Sequence, residues 1–313
     1  SAIPGLHAAS ARTDLLSEDG VTPLNPSDHP LARVRRGETI EDEVVWSRDA
    51  EGRLSALSFA SRRLIDHRGE DSGAVIVARD VMLARHTGSR VHIAHASTAG
   101  TVEVLRWAKS LGIDVTAEVT PHHLMLETDL LAGYDPVFKV NPPLRRESDV
   151  MALRAGLADG TIDTVGTDHA PHTAETKQCE WTVAAMGMTG LETALSVVQH
   201  AMVDTGLMDW AGVARVMSTA PARIAGLTDQ GQADERGVPR VGAVANLVLV
   251  DPQARRTVDP EQHLTKSRNS PYRGMELPGA VRHTVYRGAR VVADGAPARP
   301  YRHPALTETG ERA

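Results

Sequence analysis

Residues 160–172 read GTIDTVGTDHAPH. A glycine stop precedes a short apolar run, Ile162 to Gly166, and three ionisable side chains, Asp168, His169 and His172, follow where that run ends. In α/β folds the C-terminal ends of strands open into the loops that form the pocket, so ionisable groups placed there are candidates for chemistry. Alone, the pattern fits equally a strand followed by a polar turn in which Asp168 caps and Pro171 breaks. Two upstream stretches of the same type weigh toward the first reading.

The first is Val91-His92-Ile93-Ala94-His95, a short apolar strand closing on a histidine. His92 and His95 are three apart, so on an extended chain they face opposite sides, and His95, at the strand's end, is the better placed to enter a pocket. The second runs from Ile113 to Val119 and closes on Thr120-Pro121-His122-His123. A helix from about Thr101, with Val104, Ala108 and Leu111 at helical spacing, separates the two strands. Lys139-Val140-Asn141-Pro142-Pro143-Leu144-Arg145 then reads as a stiff loop presenting Asn141 and Arg145, because adjacent prolines remove donors and fix the backbone. Ser148 is expected to cap a helix carrying Val150, Leu153 and Leu157 on one face and stopping at Gly160. After the opening stretch, Thr189-Gly190-Leu191-Glu192 reads as a capping box that starts a further helix, and Asp209 as the cap of another. Residues 91–205 therefore predict three consecutive βα units with polar residues at each strand's end, which is the logic of a (β/α)8 barrel covering three of its eight units.

The flanks differ. Residues 1–19 show no sustained period, and Pro26-Ser27-Asp28 offers a helix start that ends at Gly37. Glu43 to Arg48, Leu54 to Leu64 and Ala74 to Val77 read as three extended runs joined by polar turns at 49–52 and 66–73, an antiparallel meander. His29 and His67 fall in turns and read as solvated loop residues. Val241 to Asp251 is a glycine-led β run, and Val281–Val285 with Ala289–Val292 predicts a hairpin, so a small β module follows the βα units. Residues 295–313 are rich in proline and charge and read as loose. The predicted divisions are 1–80, 81–235 and 236–313.

Composition bounds the function. The 313 residues carry a net charge of −6 and no basic stripe, which argues against a nucleic-acid surface. Aromatics are only 3 %, so the core must be aliphatic. The single cysteine, Cys179, excludes an intramolecular disulfide framework and fits a reducing compartment. No apolar run approaches the roughly 20 residues of a membrane span, and no leader pattern stands at the start, so a cytoplasmic protein is expected.

The motifs VHIAHASTAG (91–100), TAEVTPHHL (116–124), KVNPPLR (139–145), GTIDTVGTDHAPH (160–172), MGMTGLETALS (186–196) and SRNSPYRGMELPG (267–279) resemble the second half of a bacterial class I dihydroorotase, over about residues 78–293. The combination of TPHH, NPPLR and DHAPH favours that family over hydantoinases and allantoinases, which share the barrel. The resemblance implies a zinc amidohydrolase of pyrimidine synthesis that interconverts N-carbamoyl-L-aspartate and L-dihydroorotate. It implies His95 as a metal ligand, Asp168 as metal ligand and general base, Asn141 and His172 as substrate contacts, and the Met186-Gly187 backbone as part of a substrate-binding loop. The implied partner is a small-molecule substrate, with a homo-oligomer as a further expectation. The family's His-x-His-Leu-Arg motif occurs nowhere in these residues, so two matched ligands fall short of the three that a catalytic zinc normally takes. In place of the family's first βα units, residues about 19–81 resemble the C-terminal half of a PAS domain, which implies ligand sensing or dimerisation. The string Val75 to Val81 fits both families, as a junction between two genes would. Two readings follow: a dihydroorotase-type hydrolase incomplete in this chain, and a non-catalytic PAS-like sensory or interaction protein carrying an amidohydrolase remnant.

Overall fold

The computed structural model describes residues 14–17, 21–25, 27, 28, 33, 38, 43–48, 54–65, 71–78, 80–227 and 241–298. His29, His67, the turn at 49–52, most of the helix expected over 28–37 and the tail from 299 lie outside the described residues. The chain divides into two compact units, residues 1–92 with 106–116, and residues 93–105 with 117–313.

In the first unit, β1 (Asp14–Leu16), β2 (Glu43–Arg48), β3 (Leu54–Ile65) and β4 (Asp71–Ala78) form a four-stranded antiparallel sheet in sequence order. The expected meander is present, with two corrections. Residues 14–16 are not irregular: Asp14 pairs with Arg48 and Leu16 with Trp46, and three residues are too few to show a period in the sequence. Asp71–Gly73, expected in a turn, belong to β4, because pairing of Leu64 with Gly73 and Ile65 with Asp71 overrides their turn-like composition. Helix α1 (Asp80–Thr87) follows.

A parallel sheet then runs in the order β5 (Val91–Ile93), β6 (Val115–Val119), β7 (Thr164–Val165). Helix α2 (Ala99–Ser110) links β5 to β6, and α3 (Glu147–Asp159) precedes β7. Strand β6 alternates strictly: Val115, Ala117 and Val119 are buried while Thr116 and Glu118 are half-buried on the other face. Strand β7 is shorter than the apolar run Ile162–Gly166, since only Thr164 and Val165 sit in ladder register, opposite Glu118 and Val119. Helix α3 starts two residues earlier than expected. Arg146 is its N-cap, and Ser148 lies inside the first turn with the acids Glu147 and Asp149, which suit the positive end of the helix dipole. It buries Val150, Leu153, Gly156 and Leu157 and ends at Gly160.

The short helices α4 (Ala174–Lys177), α5 (Ala194–Val198), α6 (Trp210–Ala214) and α7 (Ala220–Ile224) complete the helical part, with wider π-type turns at Gln199–Val203 and Arg215–Thr219. The capping box at 189–192 does not form. Thr193 is the N-cap of α5, and the Glu192 carboxylate instead accepts Leu264 N and Thr265 N, both at 3.0 Å. Asp209 caps α6 as expected, accepting Gly212 N at 2.7 Å. The C-terminal module is a second antiparallel sheet, β8 (Leu247–Thr257), β9 (Glu276–Tyr286), β10 (Ala289–Ala293) and β11 (Ala296–Pro297), in the order β11-β10-β9-β8. The hairpin expected at 281–292 is its β9–β10 pair. Residues 296 and 297, expected to be loose, pair with β10.

One aliphatic core cluster joins the loops that matter. Leu126, Val140, Leu144, Met188, Val197, Val258, Tyr272 and Leu277 are all buried together, so the 139–145 loop and the 186–189 segment are fixed by apolar packing rather than left as surface excursions. No helix among the described residues is long and apolar enough to cross a membrane.

The two faces of α3 are expected to respond differently to truncation. Leu153 is fully buried whereas Met151 is 48 % exposed. Leu153→Ala should lower the unfolding free energy by about 2–5 kcal/mol, and Met151→Ala by less than about 1 kcal/mol. Urea titrations followed by far-UV circular dichroism measure both, and equal losses would show that α3 does not pack by this face.

Candidate active site

The two residues that end β5 and follow β7 share an uncommon backbone. His95 has φ 52° and Asp168 has φ 45°. Non-glycine residues in this left-handed region are held there by their surroundings, at a cost of about 1–3 kcal/mol each. His95 stands two residues past the end of β5, not within a strand, so the turn at its own α-carbon aims it. Its Nε2 lies 3.5 Å from Glu118 Oε1 and 3.8 Å from Asp168 Oδ1. His92 takes a different environment: it is exposed, and its Nδ1 is 2.8 Å from Thr116 Oγ1.

Glu118 is the third member of this group, and the sequence reading passed over it. The signal was there, a carboxylate on the half-buried face of an otherwise apolar alternating strand. The chain makes room for it with a glycine: a Cβ on Gly166 would sit 2.3 Å from Glu118 Oε2. Asp168 consequently titrates above the usual carboxylate range. Burial is the main cause, and the neighbouring Glu118 charge adds to it, while His95 opposes.

Behind this group lie two buried histidines at the end of β6. The His123 Nε2–H donates to Pro142 O at 3.1 Å, and the Thr120 hydroxyl donates to its Nδ1 at 2.8 Å. Both ring nitrogens of neutral His123 are thus occupied, and burial pulls its pKa down to about 4. His122 also lies well below the ordinary histidine value, first through burial, then through His123 and His95. Unlike His123, it has a buried ring nitrogen, Nε2, with no hydrogen-bond partner. A buried nitrogen without a partner is costly unless something occupies it.

The loops around the group are stitched by one side chain. The carboxamide of Asn269 donates to Ala170 O at 2.9 Å and Gly187 O at 3.2 Å, and its Oδ1 accepts His172 N at 3.2 Å. His172 Nε2–H donates to Met186 O at 2.9 Å, which brings two of the expected substrate contacts together. His169 Nδ1 accepts Gly190 N and Leu191 N, both at 3.1 Å, so its neutral ring carries the proton on Nε2. Gly187 has φ 129°, and a Cβ there would fall 2.5 Å from Ala170 Cβ. Its N–H donates to Lys139 O at 2.8 Å and its carbonyl is taken by Asn269. Met186 N–H has no partner among the described residues, so it, rather than Gly187, is the free donor of this segment. Asn141 is exposed and its carboxamide makes no hydrogen bond among the described residues. Arg145 is half-buried with an unpartnered Nε.

Zinc at a catalytic site takes about three protein ligands from His, Cys and carboxylates, plus water. His95, Asp168 and His122 are donors of the right type, and the orphaned His122 nitrogen is what an ion would satisfy. Among the described residues, however, no three such side chains are gathered closely enough to hold a metal ion. The donor set fits part of a coordination shell.

An amidohydrolase family profile matches residues 53–291. Its match begins inside the segment that resembles a PAS domain. The chain is 63 % identical to a dihydroorotase of Streptomyces coelicolor over 220 residues, 70 % of this chain and 50 % of that protein. It is 46 % identical over 299 residues to a dihydroorotase of Mycobacterium bovis, covering 93 % of this chain and 67 % of that protein. Among solved structures it is similar to the L-hydantoinase of Arthrobacter aurescens, with TM-score 0.65 and 32 % identity over 71 % of this chain and 49 % of that one. The chain spans about half the length of the dihydroorotases of Streptomyces coelicolor, Leifsonia xyli and Mycobacterium leprae that it matches.

The buried histidines predict acid sensitivity of the metal-free chain. His123 has a folded pKa of about 4 against an ordinary value of 6.5. The unfolded state therefore binds the proton first as pH falls, so stability is full above about 6.5 and declines between 6.5 and 4, by on the order of 3 kcal/mol for this group alone. His123→Gln should flatten that part of the curve of unfolding free energy against pH. An unchanged slope would mean that His123 is not buried neutral.

Proposed function

The chain belongs to the amidohydrolase family, and we propose that it supplies one share of a dihydroorotase-type active site, acting on the cyclic amide L-dihydroorotate or its open form N-carbamoyl-L-aspartate. The observation that carries this reading is the convergence of His95 and Asp168, which follow parallel strands, with Glu118 on the strand between them, and with Asp168 shifted upward. Similarity to dihydroorotases at 46–63 % identity supports the choice of substrate class. In this reading the parallel strands are the last units of a (β/α)8 barrel.

Zinc is the expected cofactor: His95 and Asp168 would be its ligands on this chain, with the unpartnered His122 Nε2 as a further donor, and the rest of the shell would come from outside these residues; when bound it would polarise an amide carbonyl and activate water. The chain's own residues do the proton work. A carboxyl whose pKa is raised toward the working pH both accepts and returns a proton efficiently. In hydrolysis Asp168 would accept the proton of the water that adds to the ring carbonyl and return it to the amide nitrogen as the C–N bond breaks. Asn141, with its open carboxamide, and the free Met186 N–H orient the substrate, and His172 holds the Met186 carbonyl so that this N–H stays in place.

The second reading, a PAS-like sensory or interaction module over 19–81, has one observation in its favour, the four-stranded antiparallel sheet β1–β4. The family match from residue 53 takes in β3 and β4 and weakens it.

By itself the chain should not turn over dihydroorotate and should bind zinc only weakly, as metal analysis of the purified protein would report. Fused to the unmatched half of the Streptomyces coelicolor relative, it should hydrolyse dihydroorotate. Asp168→Asn should then cost about 10²–10⁴-fold in rate with the fold intact. In a zinc titration of the fusion, His95→Ala should weaken binding and His92→Ala should not. An Asp168→Asn fusion retaining most of its activity would remove Asp168 from the mechanism.

A further inference from the structure

Lys139 and Lys177 are both buried, with 9 % and 4 % of their surface exposed, and neither has a carboxylate at salt-bridge distance among the described residues. Carbonyls hold them instead. Lys139 Nζ donates to Trp181 O at 2.6 Å, Ala184 O at 2.7 Å and Thr182 O at 3.3 Å, which accounts for its three donors. Lys177 Nζ donates to Lys139 O at 3.0 Å and Ala185 O at 2.9 Å, and its third N–H has no partner among the described residues.

Lys177 lines a cavity of about 890 Å3 together with Lys266, Arg268 and Arg273. Lys266 is exposed and makes no ion pair or hydrogen bond among the described residues. Arg268 and Arg273 are held side by side by one carboxylate, Arg268 Nε and Arg273 Nη2 each donating to Glu261 at 3.0 Å. That leaves Arg268 Nη2 and Arg273 Nε and Nη1 open. The two acids on the wall are Asp135 and Glu175. Asp135 is engaged in capping Val137 N at 2.9 Å, and Glu175 is held by its own backbone N–H and Thr173. Open donors are therefore cationic. The lining also includes Val137, Phe138 and Pro271, which offer apolar surface to a flat ring. The size falls within the range of small-molecule sites, about 300–1,000 Å3. Asp168, His95 and Asn141 do not line it, while His172 and Asn269 are shared with the loops around the candidate active site.

We propose that this cavity binds a small phosphate-bearing molecule with a flat ring, its phosphate against Lys266, Arg268, Arg273 and the free donor of Lys177, and its ring against Val137 and Phe138. Guanidinium pairs suit phosphate oxygens because their donors meet them in a fork. The inference is independent of the dihydroorotase reading, since binding is measured on the chain as it stands without turnover.

Adenosine monophosphate, adenosine and inorganic phosphate serve as probes in isothermal titration calorimetry. The monophosphate should bind saturably with a Kd below about 1 mM. Adenosine and inorganic phosphate should each bind at least about tenfold more weakly, and added salt should weaken the monophosphate. Lys266→Ala and Arg273→Ala, both on exposed side chains, should each reduce its affinity by about tenfold with unchanged circular dichroism. No saturable binding of the monophosphate up to about 5 mM would overturn the proposal. So would adenosine binding equally well, inorganic phosphate binding equally well, or indifference to both substitutions.

Discussion

The buried carboxamide of Asn269 is the interaction on which the rest of the site depends. Asn269 is 6 % exposed and contacts two separate segments: Ala170 and His172 after β7, and the loop that follows α4, at Gly187 and, through its backbone carbonyl, at Thr189 N. A carboxamide has two donors and one acceptor oxygen, and here each is aimed at a backbone group, with His172 N shared between Asn269 Oδ1 and Ser267 Oγ at 3.0 Å. Ser267 Oγ, placed against His172 O and Asn269 Oδ1, closes the same network. Removing the side chain would strand several polar groups at once, and the cost of such groups exceeds the gain from any single bond. The Asp168 loop is thus held from behind by a segment about a hundred residues further along the chain.

This bracing explains how the strained backbone at Asp168 persists. A residue at φ 45° returns to an ordinary conformation unless its neighbours prevent it. The two residues after Asp168 are fixed, His169 by Gly190 N and Leu191 N, Ala170 by Met188 O and Asn269. Fixing them keeps the carboxylate near His95 and Glu118, where partial burial and like charge lift its proton affinity. The chemistry read into Asp168 is therefore a consequence of packing some distance away, in the cluster of Val140, Met188, Tyr272 and Leu277.

Much of this was legible in the sequence because it is local. The β6 alternation, the Gly160 stop, the Asp209 cap and the β9–β10 hairpin follow from period and turn chemistry within a dozen residues. What was not legible depends on long-range partners. Glu192 looked like a capping residue until Leu264 N and Thr265 N claimed it. Strand β1 has no signal of its own and exists because β2 offers it a ladder. At the candidate site, His95 and Asp168 were singled out from their position at strand ends, whereas Glu118 and His122 were passed over. Glu118 sits within its strand, and its relevance appears only when β7 brings Gly166 alongside. His122 and His123 are adjacent in sequence and alike in residue type. Only the structure separates them, by satisfying both nitrogens of one ring and leaving Nε2 of the other bare.

The two buried lysines carry the same logic to the loop that faces the substrate in the proposed reaction. Segment 181–187 presents four carbonyls, at Trp181, Thr182, Ala184 and Ala185, to Lys139 and Lys177. Carbonyls turned inward leave the segment's shape fixed by cations, with little regular secondary structure to do it. Lys139 is central because its ammonium holds the start of the segment while its backbone carbonyl receives both Gly187 N and Lys177 Nζ. Burial pulls Lys177 down to about 8. That is the expected direction for a buried cation held by carbonyl dipoles with Lys139 close by, and the Asp135 carboxylate only partly opposes it. A neutral Lys177 keeps an amine N–H for bonding but loses the charge that strengthens it. The geometry at Met186 thus depends on cations outside the His95–Glu118–Asp168 group, and Lys177 is also where the basic cavity and the substrate-facing loop share a side chain.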